Sequence, residues 1–363
     1  MADTRVAFVG ALSGPAAAAG RDQRDGLLLA GLAFEEFDDR GDASRANSIA
    51  ERLLAGKITF VTGLTTSEAA RALQRRLKGK PVLLLSSGAG PAELAGKGCD
   101  RRFFSTGPPE DAVHANAGAI ARLRRYKSLH LVASPVERAA VTDALRTQFS
   151  GELTTAVVQG GSAEAIREIR SKPPHAVYLA LDPERMLGFL RAYEDAGLYH
   201  RIPVIAAAVE PSLLQKLGSD FSGLIVSVRW TAGLETEGSR KFIEAFERRY
   251  GRLPSSYAMQ GYEAALALRQ AFRAAGTDSV DAVAAALAGI TIEGVAGPVR
   301  FGANGFAEAD WHAWEVFNDA TGAPYLVGRE RTLQSYSGPN TGQVKSRRGS
   351  NASRLCSSAR RIR

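Results

Sequence analysis

The sequence predicts an α/β protein built as two doubly wound lobes. Three observations carry this: short apolar runs recur at wide intervals, helical patterns fill the gaps between them, and the runs are too many for one small sheet. The runs are RVAFVG (5–10), ITFVTG (58–63), PVLLLS (81–86), SLHLVA (128–133), LTTAVV (153–158), AVYLA (176–180), PVIAA (203–207) and GLIVS (223–227). Apolar on both faces, they suit strands of a buried parallel sheet. Eight such strands exceed what a domain of about a hundred residues takes, so a 363-residue chain is expected to make two Rossmann-like domains.

Each element has a local reason. RVAFVG is followed by GALSGPAAAAGRDQRDG (10–26), a polar elbow and then an alanine-rich helix. GLAFEEFDDRGDAS offers Leu32, Phe34 and Phe37 in an extended run, read here as a second strand after an unusually short helix, with the helix end as the other reading. In TSEAARALQRRLKG, Ala70, Leu73 and Leu77 share one helical face. In DPERMLGFLRAYEDAG, Met186, Phe189, Leu190 and Tyr193 do the same, with Asp182 as cap, Pro183 in the first turn and Gly197 as the stop. From Gly238 to about Ala288 the chain reads as helix, with Tyr257 and Tyr262 on an amphipathic helix as core residues. Extended runs then return in VAGPVRF and DWHAWEVFN, so the chain crosses between lobes more than once. Candidate crossings are STGPPED (105–111), VRWTAG (228–233) and FGANGF (301–306), each rich in Gly, Pro or small residues.

Charge and composition exclude several classes. The formal net charge is +8, but seven basic residues (Lys345, Arg347, Arg348, Arg354, Arg360, Arg361 and Arg363) lie in 337–363 without an acid. The body is therefore close to neutral, and no nucleic-acid partner is expected; the Ser-, Arg-, Gly- and Asn-rich end reads as a disordered tail. No apolar run approaches the ~18 residues that span a bilayer. MADTRVAFVG shows no signal peptide as written and resembles the start of an exported mature chain preceded by an added Met1. Two cysteines, Cys99 and Cys356, imply no disulfide framework, and five scattered histidines give no metal spacing.

Enzyme signatures are absent. Gly10, Gly14 and Gly20 do not form GxGxxG, no GK[ST] follows, and there is no GxSxG elbow. Asp38 and Asp39 are adjacent, so on an extended chain they point apart, and they read as a solvated loop. What remains is three polar elbows after strands: LSGP (12–15), LTTS (64–67) and SSGAGP (86–91). In an open α/β sheet, ligands sit outside the carboxyl ends of the strands, where these elbows converge. They offer hydroxyls and helix-start amides to a small anion or amino acid, without a catalytic group.

The segments LSGPAAAAGRDQRDG, ITFVTG, SSGAGPAELAGKGCDRRFF and YGRLPSSYAMQGYEAALAL resemble the type I periplasmic binding proteins. The nearest branch is the leucine-binding-protein-like one: the branched-chain amino-acid and aromatic-acid binders of ABC importers. The resemblance covers roughly residues 4–330. It implies two lobes joined by a three-crossover hinge and closing on a ligand: 4–107 plus 233–302, and 108–232 plus 303–335, with 336–363 as the basic tail. It implies ligand contacts at Ser13, Thr65, Thr66, Ser86, Ala89 and Gly90, with Trp230 as an aromatic wall or hinge packing. The family's hydroxyl falls at Gly90 and its acid for an ammonium near Ala208, with Glu210 close by. Arg138 stands near an aromatic position, as an anchor or as a solvated helix residue. Together these departures favour a carboxylate ligand without an amine. The implied protein is a non-enzymatic, periplasmic solute binder without cofactor or metal, partnered by a membrane permease. The alternative is a ligand-sensing regulator, intracellular or in the envelope, on the same fold.

Overall fold

Residues alternate faces along a strand, and in β1 (Val6–Gly10) both faces find an apolar layer. Val6 and Phe8 enter one cluster, Ala7 and Val9 another. The structure, a computed structural model, describes residues 5–96, 98–159 and 161–336. The chain then runs through α1 (Ala17–Leu29), β2 (Glu35–Asp38), α2 (Ala43–Ala55), β3 (Phe60–Gly63), α3 (Ser67–Leu77), β4 (Leu83–Ser86), the short α4 (Ala92–Ala95) and β5 (Phe103–Ser105). The five strands are parallel in the order β2-β1-β3-β4-β5. The compressed stretch after α1 is thus a strand, β2, as read. Cys99, in the loop before β5, is disulfide-bonded with its partner outside the described residues, a correction to the reading of its sequence.

The next stretch builds a second sheet by the same logic. Its elements are α5 (Ala112–Leu123), β6 (Ser128–Ala133), α6 (Arg138–Arg146), β7 (Glu152–Val157), α7 (Ala163–Ser171), β8 (Ala176–Ala180), α8 (Pro183–Asp195), β9 (Val204–Ala207), α9 (Pro211–Leu217) and β10 (Ile225–Val228). The parallel order is β7-β6-β8-β9-β10. Asn116 of α5, fully buried, donates to the Ser227 hydroxyl (3.0 Å) and the His312 carbonyl (3.3 Å) and accepts from the Thr332 hydroxyl.

Three helices follow, α10 (Glu237–Tyr250), α11 (Ser256–Ala275) and α12 (Val280–Gly289), then β11 (Thr291–Gly294), β12 (Gly297–Phe301), β13 (Ala307–Asn318) and β14 (Pro324–Tyr336). The chain divides into two units, one holding residues through Glu110 and Glu235–Ala309, the other Asp111–Leu234 and the described residues from Asp310 on. The sequence reading put the breaks at 107/108, 232/233 and 302/303. The third comes later because Ala307 and Glu308 of β13 still pair with β12, whereas His312–Glu315 pair antiparallel with β10. The expected basic tail lies outside the described residues from 337 on.

In the first unit α11 packs on α1 and the sheet through Ala264, Ala265, Leu268 and Ala271 against Leu27, Phe8 and Phe60. This contact is close enough to need glycine. A Cβ on Gly26 would lie 2.0 Å from the Ala258 carbonyl oxygen, and one on Gly261 2.2 Å from that of Gln23. In an isolated helix Gly→Ala gains about 1 kcal/mol. Here the backbone clash wins, and Gly26→Ala is expected to destabilise by about 2–3 kcal/mol. A chemical-denaturation midpoint that rises in Gly26→Ala would refute this packing.

Candidate functional site

The strand order of the first unit reverses between β1 and β3. β1 leads through α1 to β2 on one side, and β2 leads through α2 to β3 on the other. The loops leaving β1 and β3 therefore diverge and leave a crevice at their carboxyl ends. The three polar elbows stand there, on neighbouring strands β1, β3 and β4.

Hydrogen bonds fix the elbows to one another. Thr65, 7% exposed, accepts at Oγ1 from the Ala11 amide (3.1 Å) and donates to Gln23 Oε1 (2.7 Å), tying the β3 elbow to the β1 elbow and α1. Thr66 donates to the Gly41 carbonyl (3.1 Å) and caps α3 by accepting from the Ala69 amide (3.4 Å). Ser86, fully buried, donates to the Ala89 carbonyl (2.6 Å), and the Ala89 amide donates to the Leu64 carbonyl (2.8 Å). The Gly90 carbonyl accepts from the Glu110 amide (2.7 Å), and a Cβ on Gly90 would lie 2.0 Å from the Pro108 carbonyl oxygen. Only glycine fits that position. Leu64 adopts φ 59, strained for a branched residue.

Ser13 is half-buried, and its hydroxyl donates to Asp38 Oδ2 (2.6 Å). Asp38 Oδ1 accepts from the amides of Leu12 (2.9 Å), Arg40 (3.0 Å) and Ser13 (3.3 Å). Burial works against the Asp38 charge, but the Ser13 hydroxyl and these amides outweigh it and hold the carboxyl below its ordinary range.

Asp38 and Asp39 are not a solvated loop, as the sequence reading had them. Asp38 is partly exposed, but Asp39 is fully buried, accepting from the Gly41 amide (2.8 Å) with no partner at Oδ2 among the described residues. The signal was present: an acidic pair ending the strand beside the crevice. Gln23, fully buried on α1, was also missed; nothing in its helix pattern marks it.

The remaining candidates lie in the second unit, on three elbows of its own sheet. Arg138 opens α6 after β6 and is exposed, its amide donating to the Ser134 carbonyl (3.1 Å). Glu210, half-buried, precedes α9 after β9, two residues beyond Ala208 at φ 42. Trp230 follows β10 and is 1% exposed. Tyr257 and Tyr262, expected in the core, are half-buried, and Tyr262 packs on Phe242 with ring centroids 5.1 Å apart. Among the described residues no group of His, Cys, Asp and Glu is placed to hold a metal, and no helix is long and apolar enough to cross a membrane.

Asp39 gives the first unit a measurable pH signature. Burial, with the charges of Asp38 and Asp42 adding and the Gly41 amide opposing, pushes its carboxyl from 3.8 up to about 6. The folded state thus binds the proton more tightly than the unfolded state. The stability this provides is complete below about 3.8 and is lost as pH rises through about 6. At about 1.4 kcal/mol per unit, the loss reaches up to about 3 kcal/mol. Asp39→Asn cannot ionise and escapes it. As pH rises from about 4 to about 6 the melting-temperature difference between variant and wild type should move in the variant's favour, and above about 6 it should level off. A difference that stays constant over that range would show Asp39 titrating as an ordinary surface acid.

Comparison with known proteins places this geometry. The periplasmic binding protein family matches residues 3–321. The leucine-, isoleucine-, valine-, threonine- and alanine-binding protein of Pseudomonas aeruginosa is 22% identical over 343 residues, covering 88% of this chain and 92% of that protein. An ABC transporter substrate-binding protein from Sphaerobacter thermophilus superposes with a TM-score of 0.84 at 22% identity, over 92% of this chain and 99% of the other. A solute-binding protein of an ABC transporter from Rhodopseudomonas palustris, in complex with benzoate, gives 0.79 at 19% identity, over 92% and 97%.

Proposed function

The chain belongs to the periplasmic binding protein family, and from that premise we propose that it is the solute-binding component of an ABC importer, carrying a small carboxylate-bearing solute to a membrane permease in the periplasm. Its relatives are substrate-binding proteins of ABC transporters, which are not enzymes. The solute class is an aliphatic or aromatic acid or a branched-chain amino acid. The names of the relatives support both halves of that range, one binding aliphatic amino acids and another holding benzoate. The sensor alternative draws no support from them.

The observation that carries the reading is the gathering of three Ser/Thr/Gly elbows at the carboxyl ends of β1, β3 and β4, cross-linked so that their shape exists before any ligand arrives. Ser13, Thr66 and Ser67 are the half-buried hydroxyls of this face, while Thr65, Ser86, Ala89 and Gly90 shape it from beneath. Arg138, Glu210 and Trp230, on the second unit's own elbows, are further proposed ligand contacts.

Thermal denaturation against leucine, valine, alanine, benzoate and 4-hydroxybenzoate, followed by calorimetry, tests the proposal. At a hundredfold excess over Kd a true ligand stabilises by about 2.7 kcal/mol. For a chain this size that is a rise of several degrees. Thr66→Ala should weaken the binding about tenfold. If no amino acid or aromatic acid binds below about millimolar, the transport reading fails.

A further inference from the structure

A ligand carboxylate needs donors, and the elbows carry six hydroxyls, each with a single proton to give. All six protons are already committed: Thr65 to Gln23 Oε1 (2.7 Å), Thr66 to the Gly41 carbonyl (3.1 Å), Ser67 to Glu110 Oε2 (2.5 Å), Ser86 to the Ala89 carbonyl (2.6 Å), Ser87 to the Gly63 carbonyl (3.3 Å) and Ser13 to Asp38 Oδ2 (2.6 Å). The oxygens of Thr65, Thr66 and Ser86 also accept a backbone N–H, from Ala11, Ala69 and Gly88 respectively. Ser13 Oγ differs. Among the described residues it accepts nothing, it is half-buried, and it stands directly in front of a carboxylate; Ser67 Oγ does the same before Glu110, but that carboxylate is paired with Arg71 at 2.5 Å, whereas Asp38 has Arg40 only at 4.0 Å.

We propose that Ser13 and Asp38 form a specificity-determining pair that accepts a hydrogen bond from the ligand's amine and turns its carboxylate away, so that the solute is an amine-bearing acid. The inference rests on the solute-binding reading above and narrows it. Asp38 cannot release the Ser13 proton cheaply. Its Oδ1 is fixed by the amides of Leu12, Arg40 and Ser13, which leaves Oδ2 facing the hydroxyl. A hydroxyl that donates to a charged acceptor is itself a better acceptor. An ammonium placed on Ser13 Oγ therefore meets lone pairs backed by negative charge, whereas a carboxylate meets no proton and that same charge. The guanidinium nearest to Asp38 is that of Arg40, 4.0 Å away and more than half exposed, so water screens it. Arg21 is engaged with the Leu12 carbonyl (3.1 Å).

Calorimetry with matched pairs isolates the amine: leucine against 4-methylpentanoate, and phenylalanine against 3-phenylpropionate. In the wild type the amino acid of a pair that binds should be at least tenfold tighter than its deaminated partner. In Asp38→Asn the amide can donate to Ser13 Oγ and free the hydroxyl proton to point outward, so that ratio should fall at least tenfold. Ser13→Ala should flatten it as well. Because among the described residues the Ser13 side chain bonds only Asp38, that variant carries the test if Asp38→Asn does not fold. A merely structural role would lower both affinities together and leave the ratio intact. If the deaminated acids bind the wild type as well as the amino acids do, or the ratio survives in Ser13→Ala, the pair does not select. If neither these compounds nor the earlier series binds at all, the solute-binding reading falls and this inference falls with it.

Discussion

The backbone of Leu64 is the joint on which the elbow face of the first unit depends. Its amide donates to the Val9 carbonyl (2.6 Å) and its carbonyl accepts from the Ala89 amide (2.8 Å), so one residue links the ends of β1, β3 and β4. To do so it adopts φ 59, which costs a non-glycine residue on the order of 1 kcal/mol or more. Full burial of its side chain and the two bonds offset that cost. The next residue, Thr65, adds the side-chain link from Ala11 to Gln23 and so locks α1 onto the same joint. The shape of the elbows is thereby set by long-range contacts rather than by the loops' own preferences. Such preorganisation reduces the ordering cost that a small ligand would otherwise have to overcome.

Much of this architecture is legible in the sequence because both faces of the parallel sheets are buried, which writes each strand as a continuous apolar run. Elements without that property were harder to see. β5 is only three residues long and follows the charged DRR, and β14 is interrupted by the consecutive charges Arg329, Glu330 and Arg331 where part of it is exposed. The positions of the elbows were readable, since Ser, Thr, Gly and Pro after a strand mark a turn. The direction of each hydroxyl was not. Asp38 lies 25 residues from Ser13, Gln23 lies 42 from Thr65 and Gly41 lies 25 from Thr66, so donor or acceptor character is decided by partners that composition does not pair. Asp39 shows the same limit. Adjacency predicts the two carboxyls on opposite faces, but which of them is buried depends on the packing around β2.

Ion pairs serve the first unit differently from the elbows. Arg102 reaches Asp281 through two bonds (2.9 and 3.1 Å), holding the loop before β5 to α12 across the return of the chain, and Arg71 bridges Glu93 and Glu110 at 2.5 Å each. These pairs are partly exposed, and such pairs contribute well under 1 kcal/mol each in water. Their use is registry: they set where late helices meet an early sheet. The pair of Asp25 with Arg252 (2.8 Å) is more enclosed on the acid side, and it fixes α1 to the loop before α11 beside the glycine contact.

The same bonding pattern leaves the groups of this crevice poorly placed for proton transfer. A general acid or base has to exchange its proton with a substrate near the working pH. Asp39 is shifted into that range, to about 6, but it is fully buried and turned away from the elbow surface. Asp38, which is partly exposed, is held in its charged form by four donors and is therefore a poor base. The hydroxyls have given their protons to carbonyl, amide or carboxylate oxygens, and none of the bonds described above pairs one with a histidine that could activate it as a nucleophile. Fixed dipoles without a mobile proton can recognise a solute and release it unchanged.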